Sequence, residues 1–188
     1  MNIPIKINGK KYVVPQLCDL STKDFIEVAK IEGIVKDGGS FDTVKYIAWY
    51  LKLNIKKAFF ATLPDKLHRE LSYFPDIEKT KPPALDYIDT KKAIYTVGQR
   101  FQVEESSLKG YELTVFVLAV AQAESNNIDG VNELYHFYMS KPAVYILPHA
   151  FFFSKIYANG KNTGVSFLRW PRALIKILGL RNKQGHKN

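Results

Sequence analysis

Isoleucine stands at every second position in Asn2-Ile3-Pro4-Ile5-Lys6-Ile7 and is followed at once by Asn8-Gly9, which constrains the fold more tightly than any other stretch of the chain. Alternation at period two places Ile3, Ile5 and Ile7 on one face of a strand. Asn-Gly supplies the two positive φ values that a two-residue hairpin turn requires. Tyr12-Val13-Val14 returns from the turn, and Pro15, which has no N–H to give a ladder, ends the strand.

Helical spacing takes over beyond the hairpin. Ser21 or Thr22 offers an N-cap, with Asp24 in the first turn, for a helix carrying Phe25, Ile26, Val28 and Ala29 up to a stop at Gly33. After a loop at Asp37-Gly38-Gly39-Ser40, Val44, Ile47, Ala48 and Leu51 repeat at i, i+3, i+4 and i+7, predicting a second helix from Phe41 to Leu53. A short third helix is expected between Pro64 and Phe74. From Pro75 to Tyr87 charged residues and Lys81-Pro82-Pro83 mark a linker. A second hairpin is expected next, with Ala93 to Val97 and Arg100 to Val103 flanking Gly98-Gln99. Gly98 to Val103 also echoes Gly9 to Val14, a weak sign of internal duplication.

Ser106-Ser107 then opens the most apolar helix, Leu108 to Glu124, which is apolar nearly all round and therefore expected at the centre. Its run from Val115 to Ala121 is the longest uninterrupted apolar stretch, well short of the roughly 20 residues that cross a bilayer, so no membrane span is expected. Helices from Asn132 to Met139 and from Ala143 to Tyr157 follow, the latter with Pro148 as a kink or start. A loop at Asn159 to Gly164, a helix from Pro171 to Leu178 and a polar tail complete the chain. The expected fold class is α+β, predominantly helical, with an N-terminal β-hairpin and a second hairpin packed with six or seven helices. The expected division is a hairpin-helical lobe at 1–75, a linker at 76–92, a second hairpin with the central helices at 93–158, and a basic segment at 159–188.

At 46% hydrophobic and 13% aromatic residues, the 188-residue chain has ample material for a packed core. Cys18 is the only cysteine, so an internal disulfide is excluded and a reduced compartment is the natural reading. Met1-Asn2-Ile3-Pro4 opens no charged-then-apolar signal segment, so cytosolic synthesis is expected. The net charge of +9 is unevenly placed. Met1 to Glu133 holds 18 basic and 18 acidic residues, whereas Leu134 to Asn188 holds 9 basic residues and no acid. Such asymmetry marks a surface that meets something anionic: phosphates, a membrane face or an acidic protein.

No catalytic constellation emerges. Neither a Gly-x-Gly-x-x-Gly nor a Walker-type loop occurs, and Gly164-Val165-Ser166-Phe167-Leu168 lacks the second glycine of a nucleophile elbow. His68, His136, His149 and His186 show no zinc spacing. Glu133-x-x-His136 is a single copy of a motif that di-iron bundles carry twice. His136 and His149 sit among apolar and aromatic residues, where a hydrogen-bonded core histidine is the expectation. No metal or cofactor is therefore expected, and no enzymatic activity.

Two surface candidates remain. Arg169, Trp170, Arg172, Lys176, Arg181 and Lys183 interleave positive charge with an aromatic anchor, a combination that suits a protein partner or nucleic-acid phosphates. The plainer alternative docks Leu174, Ile175, Ile177 and Leu178 on the core with the basic groups in water. Phe151, Phe152 and Phe153 cannot share one side of a helix, so the segment is either buried between layers or partly covered by a partner chain.

The hairpin around Asn8-Gly9-Lys10-Lys11-Tyr12, then Leu20-Ser21-Thr22-Lys23-Asp24-Phe25 opening a helix, then a string of amphipathic helices, resembles small tail-assembly, baseplate-associated and connector proteins of tailed bacteriophages. The likeness covers about the first 55 residues and is organisational. It implies a structural or assembly protein without an active site, in the virion or host cytoplasm, contacting other virion proteins in multiple copies. The alternative is a nucleic-acid-binding accessory protein using the basic C-terminal third.

Overall fold

The computed structural model describes residues 2–31, 42–58, 61–62, 69–71, 81–92, 96–123 and 127–159. The protein is α+β and predominantly helical, and its contacts divide it into two units. The first comprises residues 1–76 together with 139–144; the second comprises 77–138 and 145–188.

In the first unit, β1 (Asn2–Ile7) and β2 (Lys10–Pro15) form the antiparallel hairpin, with Ile3 opposite Val14 and Ile5 opposite Tyr12. Asn8 and Gly9 both take positive φ, 48° and 78°, as a two-residue turn between right-twisted strands demands. The period-two pattern is realised: Ile3, Ile5 and Ile7 are buried while Asn2, Pro4 and Lys6 face out. A two-residue strand, β3 (Ala61–Thr62), adds to the other edge of β1, giving the order β2-β1-β3. Lys10, Lys11 and Pro15 lie on the edge strand β2, residue types that discourage further pairing.

A 3-10 turn (Leu17–Asp19) buries Leu17 and Cys18 and leads into α1 (Thr22–Lys30). Of the two expected caps, Ser21 is the one used: its Oγ accepts from the Asp24 amide at 3.1 Å and donates to the Asp24 carboxylate at 2.7 Å, while Thr22 is the first helical residue. Asp42 caps α2 (Thr43–Tyr50) by accepting from the Lys45 amide. Tyr46 and Ile47 of α2 are buried, and the Tyr46 hydroxyl donates to the Pro15 carbonyl at 2.9 Å, fastening the helix to the end of the hairpin. A short α3 (Ile55–Ala58) follows. Of the helix expected at 64–74, residues 69–71 are helical with Leu71 buried, and the rest lies outside the described residues. Residues 139–144 belong here because the Lys141 carbonyl accepts from both the amide and the hydroxyl of Thr22, at 2.7 and 2.9 Å, while the Ala143 amide donates to Leu20.

The second unit corrects one expectation: Gly98-Gln99 is no hairpin turn. Residues Val97–Glu105 form a helix, α4, opened by a capping box in which Thr96 Oγ1 accepts from the Gln99 amide at 3.1 Å and Gln99 Oε1 accepts from the Thr96 amide at 3.2 Å. Two otherwise orphaned donors are satisfied reciprocally, and this local chemistry overrides the strand-like Phe-x-Val alternation. Gln99 Nε2 goes on to donate to the Val120 carbonyl, so the same side chain joins two helices. The apparent echo of Gly9 to Val14 is thus a hairpin in one place and a helix in the other. Residues 93–95 of the expected strand lie outside the described residues.

The central helix α5 (Gly110–Gln122) is buried over most of its surface, as its apolar circumference requires. It starts later than expected: Lys109 is its N-cap, without a side-chain cap, and Ser106 Oγ instead accepts from the Leu108 amide. Helix α6 (Ile128–Ser140) starts earlier, because Asn127 Oδ1 accepts from the amides of Asp129 and Gly130. Helix α7 (Ala143–Asn159) carries Pro148 inside it, with Ile146, Leu147, Phe151 and Phe153 buried.

Candidate functional site

The described residues that stand out chemically are aromatic and belong to the second unit. Tyr87, Phe137 and Tyr145 are large rings left 38, 36 and 47% exposed. Tyr87 meets Phe137 edge-on, with centroids 5.3 Å apart, and lies 6.5 Å from the ring of Tyr138. Phe137 and Tyr138 are themselves in edge contact at 5.6 Å. Tyr145, at the start of α7, is near enough to help raise the titration point of Tyr87, although burial is the larger cause.

Rigidity comes from hydrogen bonds beneath the rings. Tyr87 lies in the segment 81–92, which has no helix or strand of its own. Gln122, at the end of α5, holds that segment through a paired contact: its Oε1 accepts from the Asp89 amide at 2.8 Å and its Nε2 donates to the Asp89 carbonyl at 3.0 Å. Lys92 Nζ donates to the Gln122 carbonyl. The buried Tyr138 donates to the carbonyl of Tyr87 itself at 3.4 Å, and His149 Nε2 donates to that of Pro83 at 2.7 Å. Burial, with Tyr87 nearby, pushes the Tyr138 hydroxyl up to about 12, so it stays a neutral donor at any ordinary pH.

Such a cluster can pack and hydrogen-bond, but it holds no acid, base or nucleophile tuned for neutral pH. Aromatic rings in a fixed arrangement, with hydroxyls to satisfy a partner's polar groups, are the side chains enriched at protein contacts. Among the described residues, Cys18 and His149 are buried and placed for structure. Burial raises the Cys18 thiol above its ordinary value, which keeps it protonated and unreactive. Burial lowers the His149 imidazole. Glu133 and His136 are both exposed on α6, and no group of three or more His, Cys, Asp or Glu residues suited to a metal occurs among the described residues. No helix among them is long and apolar enough to cross a membrane.

Arg169, Trp170, Arg172, Lys176, Arg181 and Lys183 lie outside the described residues, as do His68, Ser166 and His186. Phe151 is 3% exposed and meets Tyr111 edge-on at 6.0 Å, so its ring is covered by its own chain rather than left for a partner. Phe152 is half-buried and Phe153 buried. Tyr87, Phe137 and Tyr145 are absent from the residues singled out in the sequence. Val131 and Tyr138, seven apart and both buried, fix the inward face of α6, and on that phase Phe137 falls outside it; the exposed aromatic is legible once the helix is phased. No known protein family, curated protein or solved structure matches the chain.

Proposed function

We propose that this chain is a non-enzymatic structural or assembly component that works by docking against other proteins, in the setting its N-terminal organisation resembles: the tail, baseplate or connector of a tailed bacteriophage, in the virion or the host cytoplasm. The observation that carries the docking part is the exposed Tyr87, Phe137 and Tyr145 set, in which Tyr87 sits on a segment pinned by the Gln122, Tyr138 and His149 hydrogen bonds while Phe137 and Tyr145 stand on helices. Preorganised aromatic surface lowers the ordering cost of association and is the composition in which binding energy concentrates. The acid-free segment beyond Leu134, with Arg169, Trp170 and Arg172 as anchors, is the second contact in this reading.

A mass-spectrometric inventory of particles from the native source, followed by co-purification with the neighbours found, tests it. The triple change Tyr87→Ser, Phe137→Ser, Tyr145→Ser is expected to abolish co-purification while leaving the circular dichroism unchanged. A chain that remains a lone monomer beside every virion protein, or whose association ignores both the triple change and Trp170→Ala, overturns the proposal.

A further inference from the structure

The balance of 18 basic and 18 acidic residues up to Glu133 hides a local imbalance. Residues 1–18 and 43–58 contain seven lysines, Lys6, Lys10, Lys11, Lys45, Lys52, Lys56 and Lys57, and not one Asp or Glu. These two acid-free stretches are the hairpin and the α2–α3 pair, and the fold brings them together. A cavity of about 220 Å³ lies between the end of the hairpin and α3, lined by Ile7, Asn8, Lys10, Tyr12, Leu53 and Lys57. The strand register accounts for the hairpin's share: Lys10 is opposite Ile7 and Tyr12 opposite Ile5, so both lie on the isoleucine face and not on the outer face.

We infer that this cavity is a binding site for a phosphate group. Two lysines line it and, among the described residues, no Asp or Glu does, so a doubly charged oxyanion matches its charge where a single carboxylate would leave one lysine uncompensated. The Tyr12 hydroxyl and the Asn8 amide are hydrogen-bond donors for the remaining oxygens. Ile7 and Leu53 supply an apolar wall on one side of it. A volume several times the ~30 Å³ of a liquid water accommodates the group with part of its hydration. On the other face of the same hairpin Lys6 and Lys11 stand directly opposite each other, a like-charge cross-strand pair that costs stability unless something anionic lies near it. The first unit's own residues form this site, so it stands or falls separately from the aromatic cluster.

The phosphate could belong to a free ion or to a nucleic-acid backbone, and one titration separates them. Backbone amide shifts of the full chain are followed with inorganic phosphate, with a short single-stranded oligonucleotide, and with sodium chloride at matched ionic strength. Expected are saturable shifts confined to residues 7–12 and 53–57 that chloride does not reproduce. Lys10→Ala with Lys57→Ala is expected to weaken binding at least about tenfold, the pair changed to Arg to retain it, and Lys23→Ala to leave it unchanged. Saturation by both anions, with the oligonucleotide binding more tightly, supports the site and assigns a nucleic-acid backbone; saturation by phosphate alone supports it and assigns the free ion. Non-saturating shifts spread over lysines of both units, or no shift beyond the chloride control, overturn the inference.

Discussion

Each of the two units fastens a proline-bearing stretch, a strand end in the first and an irregular segment in the second, with one buried side chain from a helix, and the two choose different chemistry. In the first, Tyr46 of α2 donates to the Pro15 carbonyl at 2.9 Å; in the second, His149 of α7 donates to the Pro83 carbonyl at 2.7 Å. Both side chains are 0% exposed. The tyrosine has a single polar atom and uses it. The imidazole has two, and its Nδ1 has no hydrogen-bond partner among the described residues. The same architectural task is thus solved once with nothing left over and once with a buried nitrogen unsatisfied, a difference with consequences for packing and for pH.

The largest expected effect breaks the first clamp. Tyr46→Ala empties a fully buried position beside Trp49, Tyr50 and the end of the hairpin, and a loss of about 3–5 kcal/mol in unfolding free energy is expected by analogy with other buried aromatic truncations. Tyr46→Phe keeps the ring and deletes only the donor, leaving the Pro15 carbonyl buried and unpaired, for about 1–3 kcal/mol. Urea denaturation of both variants checks the pair. Equal losses would show that the ring does all the work and the hydrogen bond none.

The second clamp is sensitive to acid where the first is not. Burial holds the His149 imidazole below its ordinary titration point, with the Pro83 bond opposing as the smaller influence. A proton taken up in the folded state would go to Nδ1, where no acceptor waits. The unfolded chain binds that proton at the ordinary value, about 6.5. Stability from this group is therefore complete above about pH 6.5 and declines as the pH falls, by at most about 1.4 kcal/mol per unit. Tyr46 is pushed up, first by burial and then by Tyr50, Asp24 and Cys18, so its clamp weakens only as the pH rises above the ordinary tyrosine value, about 10. Protection of the amides at 85–92, after division by the intrinsic exchange rate at each pH, is expected to fall between pH 6.5 and 5 in the parent chain, while that of the hairpin amides holds. In His149→Phe that pH dependence is expected to vanish; an unchanged slope would assign the acid sensitivity elsewhere.

What the sequence disclosed follows the range of the interactions. The hairpin and the Ser21 cap were legible because alternation, an Asn-Gly turn and a capping hydroxyl act within a few residues of themselves. The central helix was legible because an apolar circumference has few places to go. The clamps were not, since Tyr46 to Pro15 spans 31 positions and His149 to Pro83 spans 66, and nothing local to either partner announces the other. His149 was recognised as a hydrogen-bonded core histidine, but without its partner. The lysine cavity escaped for another reason: a charge sum over the first 133 residues averages away two acid-free stretches that meet only when the hairpin folds against α3.

The smallest expected effect sharpens the contrast at the one place where local signals competed. The stretch from Gly98 to Val103 alternates like the hairpin strands, yet it is helical, and the capping box of Thr96 and Gln99 is the local feature that separates it from Gly9 to Val14. Thr96→Ala removes the acceptor for the Gln99 amide and is expected to lower stability by about 1 kcal/mol. Gln99→Ala removes the other half of the box together with the bond from Nε2 to the Val120 carbonyl, a tie between α4 and α5 that no hairpin could make. Its loss is therefore expected to exceed that of Thr96→Ala, with exchange of the amides at 100–105 faster in both. If the two changes cost the same, the reach to Val120 adds nothing and the box alone decides that this segment coils instead of extending.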